Sequence, residues 1–465
     1  MRRRHDLPLH ARPRRPERWA PLTLAVLLLA ACTPDEPTSY DPALLDPETC
    51  ASCHPSHYEQ WSGSMHAYAA DDPVFLAMNE RGQRETDGAL GDLCVGCHAP
   101  VAVALGKTDD GLNLAELAPE LRGVTCFACH QVDSVGELHN NDTRLALDNT
   151  MRGGIDDPVL NPVHASRWSS LHDRDEPESS DMCGSCHDVV LDNQVHLERT
   201  HQQWDSSLYA NLSSARLSCA ACHLPGSDGQ VVPGGPERRV HDHSMPGVDI
   251  AITEWPQREA QRAAVQAELD TTLLARLCVA EQAEGALLLA SLDNVAAGHN
   301  YPSGAAHDRR SWAELVAYSG DEVVWSVGTY ADDEIVPKPA EAPGDLWQFR
   351  DVANKANGET AHMFWEVDSL SEHTLQAPVT FDPSDPDFLL PHVTRQWALD
   401  RPVDRVTMRV RIRPIGLDVL DDLIASGDLA PGLRDEMPVF DLGATVLEWT
   451  PSAASTVYGD FACVP

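Results

Sequence analysis

One five-residue pattern occurs five times in the 465-residue chain: Cys50-Ala51-Ser52-Cys53-His54, then Cys94 to His98, Cys126 to His130, Cys183 to His187 and Cys219 to His223. Two thiols with two residues between them can each form a thioether bond to one vinyl group of a tetrapyrrole. The histidine that follows then lies beneath the ring, where its imidazole ligates iron. The pattern therefore assigns Cys50, Cys53, Cys94, Cys97, Cys126, Cys129, Cys183, Cys186, Cys219 and Cys222 to cofactor attachment. It assigns His54, His98, His130, His187 and His223 to the proximal side of iron. Cys pairs of this spacing also bind zinc or form redox disulfides. Zinc does not ask for a histidine directly after the second Cys in every copy, and a thioredoxin-like pair occurs once, not five times. The expectation is five covalently attached c-type haems.

The elements that position these groups differ between the two halves of the chain. From Cys50 to His223 there are 174 residues, about 35 per motif, with few long apolar runs and many Gly, Pro, Ser and Asp. Such a stretch cannot offset its ordering entropy with an ordinary core. Porphyrins must supply the buried apolar surface, wrapped by short helices and loops, and without haem this half is expected to be largely unfolded. Residues 249–278 carry helix start signals and a run of Gln, Arg, Ala, Glu and Leu, which predicts one long linking helix. Beyond it the pattern alternates: Val406, Met408, Val410 and Ile412 are interleaved with Thr407, Arg409 and Arg411. Ala286 to Leu292, Trp312 to Tyr318 and Glu322 to Val327 are further strand candidates. A helix is predicted from Asp418 to Ser426, with Asp418 as N-cap and Gly427 as stop. The fold class is thus mixed: a haem-packed, mainly α and irregular region over 46–248, a helix over 249–278, and a β-sandwich-like domain over 279–465.

The far side of each iron is open to other ligands. Of 21 histidines, five follow motifs and His5 and His10 lie near the N-terminus, so the rest compete for the distal places. After the first motif comes His57-Tyr58-Glu59-Gln60-Trp61-Ser62-Gly63-Ser64-Met65-His66. These residues resemble the cytochrome c-554 family, whose signature is C-x-x-C-H, then Tyr, then W-x-x-S-x-H. The resemblance implies that His66 is a distal ligand, with His57 its local competitor. It also implies a multihaem carrier related to hydroxylamine-oxidising and nitrite-reducing enzymes. A degenerate copy at Trp204-Asp205-Ser206-Ser207 has Tyr209 where the histidine belongs, so it is expected to pack without ligating. Gly298-His299-Asn300-Tyr301-Pro302-Ser303-Gly304 resembles a loop of related multihaem cytochromes whose histidine reaches back to iron, which gives His299 that role. The family habit of a histidine shortly before a Gly favours His243, with His241 behind it. Asn161-Pro162-Val163-His164 is a turn ahead of a helical-looking Ala165 to Leu171, a suitable place to hold His164 rigidly. His139 or His172 is the fifth distal candidate. His307, His362, His373 and His392 read as ordinary histidines of the second half, and Arg309 and Arg310 as either propionate partners or surface arginines.

The ends and the composition address location and partners. Seven arginines precede an apolar run, Ala20 to Ala31, which is too short to span a bilayer and has signal-peptide proportions. Leu29-Ala30-Ala31-Cys32 resembles a bacterial lipobox, which implies removal of 1–31 and a lipid on Cys32. Thr33 stands where an inner-membrane retention signal places Asp, so the implied location is the outer membrane, facing the periplasm or cell surface. Residues 32–45 read as a flexible tether. Ten of the 13 Cys serve haem and Cys32 the lipid, leaving Cys278 and Cys463 as a disulfide candidate in an oxidising compartment. The formal charge is −38, which excludes nucleic acid as a partner. It favours a basic or membrane-associated redox protein. Electron carriage is the expected function. The alternative is an oxidoreductase acting on a small nitrogen or sulfur compound at a haem with no distal ligand. The lysine-bearing C-x-x-C-K motif of the pentahaem nitrite reductases is absent. No catalytic residue is assigned from sequence. A third reading makes the β-rich half a docking module for a membrane or extracellular partner.

Overall fold

The motif cysteines sit on or beside short helices, several of whose starts are written into the sequence. Thr125 and Ser218, each directly ahead of a motif, accept hydrogen bonds from Ala128 N and Ala221 N and so cap Cys126–His130 and Cys219–His223. Asp46 caps Pro47–Ala51 in the same way, with Pro in the first turn. The second motif lies on Val95–His98 and the fourth at the end of Ser179–His187. The computed structural model describes residues 39–452 apart from Ala215. The leader, the first half of the tether (32–38, with Cys32) and Cys463 lie outside the described residues. In the second half of the expected tether, Tyr40 and Leu44 are buried in a core with Phe127 and Val101.

Two sequence expectations are corrected in this half and its junction. Ala165 to Leu171 is not a helix: Ala165–Trp168 is a strand, paired in parallel with Thr150–Gly153, followed by a 3-10 turn at Ser170–His172. Ala165 N donates to Asn149 O and Ser169 N to Gly153 O, so non-local pairing overrides a weak local preference. The linking helix is shorter than 249–278. It runs Arg258–Thr272, behind Gln257 in the left-handed region at φ 54°, and buries Gln261, Val265 and Leu269 at four-residue spacing. From Leu274 the chain is already a strand, Leu274–Gln282, because Leu277, Cys278 and Val279 are taken into the sheet core. Cys278 is disulfide-bonded.

The second half is rich in antiparallel sheet. His392–Leu399, Gly285–Asp293 and Leu274–Gln282 form a three-stranded sheet in that order. A six-stranded sheet is ordered Glu322–Val327, Arg310–Ser319, Arg405–Arg413, Phe440–Asp441, with Trp347–Phe349 and Leu447–Trp449 paired alongside. One core takes Leu277, Leu288 and Leu292 from the first sheet and Trp312, Leu315 and Val410 from the second. The alternation is seen directly: Val406, Met408, Val410 and Ile412 are all buried. The late helix is Leu417–Ala425, and its N-cap is Gly416 rather than Asp418. Asp418 is committed instead to Arg310, through hydrogen bonds of 2.7 and 2.8 Å. Gly427, at φ 85°, ends the helix.

The halves interlock. The helix Pro73–Glu85, capped by Asp72, buries Val74, Ala77 and Met78 against Leu417, Leu420 and Leu423. Leu191 and Leu197, beside the fourth motif, share another core with Ala353, Ala361 and Val367. Arg199 adds ion pairs to Asp351, at 2.6 Å, and to Glu372. Among the described residues no helix is long and apolar enough to cross a membrane.

Candidate haem-binding site

All five motifs open into one cavity of about 2270 Å3. That exceeds the 300–1,000 Å3 of a pocket for one drug-sized ligand and suits several large groups. Its walls carry the ten motif cysteines, the five motif histidines, and also His57, His66, His164, His172, His201, His241, His243 and His299. His139 does not line it.

The tautomers of four motif histidines, His187 apart, are set by backbone carbonyls. Nδ1 lies 3.1 Å from Val231 O in His54, 2.7 Å from Ala69 O in His98, 2.5 Å from Arg152 O in His130 and 2.8 Å from Pro246 O in His223. A carbonyl only accepts, so Nδ1 carries the proton and the Nε2 lone pair is left for a metal. This is the outer-shell arrangement found behind ligating histidines. Three non-motif histidines share it: His164 to Ala165 O at 3.0 Å, His243 to His241 O at 2.8 Å and His299 to Asn300 O at 2.8 Å. Burial lowers His54 and His98, and pushes His57, His66, His130, His172, His187, His243 and His299 down to about 4. At neutral pH these rings are uncharged, the form that binds metal.

These rings face one another in pairs. Ring centres are 6.4 Å apart for His54 and His164, 6.5 Å for His130 and His243, 6.1 Å for His187 and His66, and 6.5 Å for His223 and His299. A metal–imidazole bond is about 2 Å, so rings on opposite sides of one metal have centres about 6 Å apart. The interplanar angles run from 6° to 83°, which such an arrangement permits because each ring can turn about its own metal bond. The donor set thus fits haem iron held between two imidazoles, and the paired thiols fit its covalent attachment.

The second motif is different. Phe75 stacks on the His98 ring at 3.9 Å and 6°. Among the described residues no histidine ring is paired with His98. His172, a candidate for the remaining place, lies 5.8 Å from His130, but its Nε2 is 2.8 Å from Cys129 O. His57 lies 6.0 Å from His54, a second ring at ligand spacing, but His164 is the one of the two whose Nδ1 meets a backbone carbonyl. His57 also packs edge-on to His243 at 4.6 Å, too close for a metal between those two.

The sequence motifs acquire physical roles. In W-x-x-S-x-H, the Trp61 indole donates to Val124 O at 2.9 Å, Ser64 accepts from Ala67 N, and Val124 N returns a bond to His66 O. His66 is thereby tied to the approach of the third motif. Gln60 accepts from His243 N at 3.1 Å. Asn161 accepts from the backbone N of Val163 and His164, forming the turn that presents His164. The 298–304 loop docks on the helix Thr200–Asp205: Ser303 donates to Gln203 at 2.6 Å and Gly304 N to Thr200 at 2.9 Å. Trp204 is buried and donates to Leu217 O, and the Tyr209 hydroxyl donates to Val295 O. Arg309 is neither a surface arginine nor free. It grips Asp249 with two bonds of 2.8 Å, while its buried Nε has no partner. Arg310 is buried against Asp418.

Thiols of different motifs also meet: Cys50 with Cys126, Cys97 with Cys186, and Cys183 with Cys219. Cys129 is close enough to both Cys183 and Cys186 to affect their charge or feel theirs. The motifs are therefore neighbours in the order first, third, fourth, with the second and fifth both beside the fourth.

Gly123 explains a constraint that the motif pattern does not reveal. It sits at φ 77°, and a Cβ there would lie 2.7 Å from Ala67 O and 2.9 Å from His66 O. Gly123→Ala is expected to cost more than about 1 kcal/mol in stability, measured by chemical denaturation of the holoprotein, and to disturb the His66 ligand spectrum. An unchanged midpoint would remove this role. Sequence reasoning also missed Phe75, since nothing about an isolated Phe marks it beforehand as a cavity residue. Glu198 stands in the Glu-x-Thr, Trp order between the fourth and fifth motifs that resembles multihaem cytochromes, but that order gives it no stated role.

The five C-x-x-C-H motifs and the facing imidazoles fit a multihaem c-type cytochrome. Residues 49–131 match the family described as cytochrome c554 and c-prime. The structure is similar to that of a penta-heme cytochrome c552 from Thermochromatium tepidum, with a TM-score of 0.60 and 20% identity over 89% of this chain and 100% of the other. No curated protein matches the sequence.

Proposed function

We propose that the chain is a five-haem electron carrier in which four irons are closed by histidine pairs and one is not. The pairs are His54 with His164, His130 with His243, His187 with His66, and His223 with His299. The observation that carries this reading is their common spacing of 6.1 to 6.5 Å. Bound c-type haem supplies an iron that exchanges single electrons. The protein's part is to fix the imidazoles, exclude water, and set the order first, third, fourth, with branches to the second and fifth. The arginine-rich start, the lipobox resemblance at Cys32 and the strong negative charge support an exported, outer-membrane-anchored protein. They favour a basic or membrane-associated redox partner.

A second reading is favoured by His98, which has Phe75 on its ring and no histidine facing it. A haem there would be open to a small nitrogen or sulfur compound, making the chain an oxidoreductase. Electron paramagnetic resonance of the purified holoprotein tests both. The expected result is a majority of low-spin iron with a high-spin fraction of about one iron in five. A high-spin signal that shifts with nitrite or hydroxylamine selects the enzyme, and wholly low-spin iron overturns the open site. His299→Ala is expected to add high-spin signal, whereas His172→Ala leaves the spectrum unchanged because Nε2 of His172 already serves Cys129 O. A mass showing no added tetrapyrrole would end both readings.

A further inference from the structure

Glu198 lies on the short strand His196–Arg199, which pairs with Asp188–Val190 directly after the fourth motif. Successive side chains of a strand point to opposite faces. Leu197 and Arg199 face the second half, one in a shared core and the other in ion pairs with Asp351 and Glu372. Glu198 faces the other way and lines the cavity, where its charge is felt by the Cys97 thiol of the second motif.

The surroundings leave this carboxyl without a counter-ion of its own. Arg309 is the nearest cation, and both of its terminal nitrogens are engaged by Asp249. The remaining charged neighbours, Asp308, Asp249 and Asp188, are all acids. Asp72, which caps the helix carrying Phe75, is pushed up to about 6 by burial and by Asp249. Burial, opposed by Arg309 and reinforced by the acids, pushes Glu198 up to about 7. Arg309 is shared between Glu198 and Asp249, so added negative charge nearby is relieved by binding a proton.

We propose that Glu198 is a proton-exchange site coupled to the redox state of the haem attached at Cys94 and Cys97. When an external one-electron reductant reduces that ferric iron, the Glu198 carboxylate takes one proton from solvent, and the local charge is unchanged. On oxidation the electron leaves to the neighbouring haem or a partner and the proton returns to water. The sign follows from charge: ionised Glu198 stabilises the ferric state, so the potential is lower above the carboxyl's titration and higher below it.

The inference rests on haem being bound at the second motif. The test is a potentiometric titration of wild-type, Glu198→Gln and Glu198→Asp holoprotein between pH 5.5 and 8.5, each checked by mass for its haem complement. The expected wild-type result is one haem potential that falls as pH rises through about 7. Glu198→Gln should lose that slope and hold the acid-limit potential, because Gln imitates the protonated acid. Glu198→Asp should keep a slope with a displaced midpoint. A full haem complement with an undiminished slope in Glu198→Gln overturns the role of Glu198, since another group would then be titrating. A wild-type mass lacking tetrapyrrole at Cys94 and Cys97 overturns instead the reading on which it rests.

Discussion

Chain produced without haem attachment is expected to lose protease resistance across residues 50–248, while the sheets from Leu274 to Trp449 stay resistant. The asymmetry follows from what each half can bury unaided. The core between the motifs holds twelve buried apolar residues, four of them alanines: Ala70, Ala99, Ala102 and Ala128. The core of the sheets holds thirty, including Trp312, Trp347, Trp397 and Trp449. Ordering the backbone costs about 1–2 kcal/mol per residue, and burial returns about 25 cal/mol per Å2 of apolar surface. Without tetrapyrroles the roughly 2270 Å3 cavity removes the surface against which Leu44, Phe75, Val132 and their neighbours would pack. Limited proteolysis followed by mass spectrometry reads the result. Equal resistance of both halves without haem would refute it, as would cleavage throughout the sheets. In the second case the shared cores around Leu417 and Ala353 would have made folding of the second half depend on the first.

How much could be read in advance divides along chemical lines. The motif residues were legible because the attachment chemistry they suggest fixes spacing within five residues, and the structure brings all five motifs to one cavity. The strands at 310–327 and 405–413 were legible because a half-buried strand must alternate. His66 and His299 were flagged by their local sequence, and the structure sets each about 6 Å from a motif histidine. The fifth place was not legible. It asked for a ring opposite His98, and the sequence offered His139 and His172. The first is off the cavity, and the second is bonded to a carbonyl. Phe75 stacks on the face of the His98 ring, on a helix whose Asp72-Pro73 start was readable but whose destination was not. The misread helix at 165–171 and the shortened one at 258–272 have one cause. Their termini are decided by strand partners more than ten residues away, at Thr150–Gly153 and Gly285–Asp293. Asp418 was misassigned because a carboxyl near a helix start can cap that helix or answer a distant arginine. Only the fold tells which.

That same pair gives the second large effect. Arg310 is 1% exposed, and Asp418 10%, at the contact between the Arg310–Ser319 strand and the Leu417–Ala425 helix. Arg310 also donates to the carbonyls of His307, Asp308 and Arg309. The Asp418 carboxyl is held well below the usual carboxylate range by hydrogen bonds and charge from His362, Arg310 and Arg350, which outweigh its burial. Removing one partner leaves a buried charge without compensation, which costs about 3–5 kcal/mol. Arg310→Met is therefore expected to lower unfolding free energy by that amount in denaturant titrations of the holoprotein at pH 7. Asp418→Leu should do the same, because the buried Arg310 guanidinium then loses its carboxylate partner. The double variant should recover a large part of either loss, since two apolar side chains of similar size bring no desolvation cost. Losses that simply add would show that the pair is not the unit of stability. The pH dependence has a defined sign. A carboxyl whose folded pKa is depressed contributes stability above its unfolded pKa, and that contribution is lost as pH falls below it toward the folded value. Wild-type stability should fall on acidification below about pH 4, and Asp418→Leu should flatten that fall. An acid limb of unchanged steepness in the variant would place the acid sensitivity elsewhere, in carboxylates such as Asp133 and Asp148 that hold the buried Arg152.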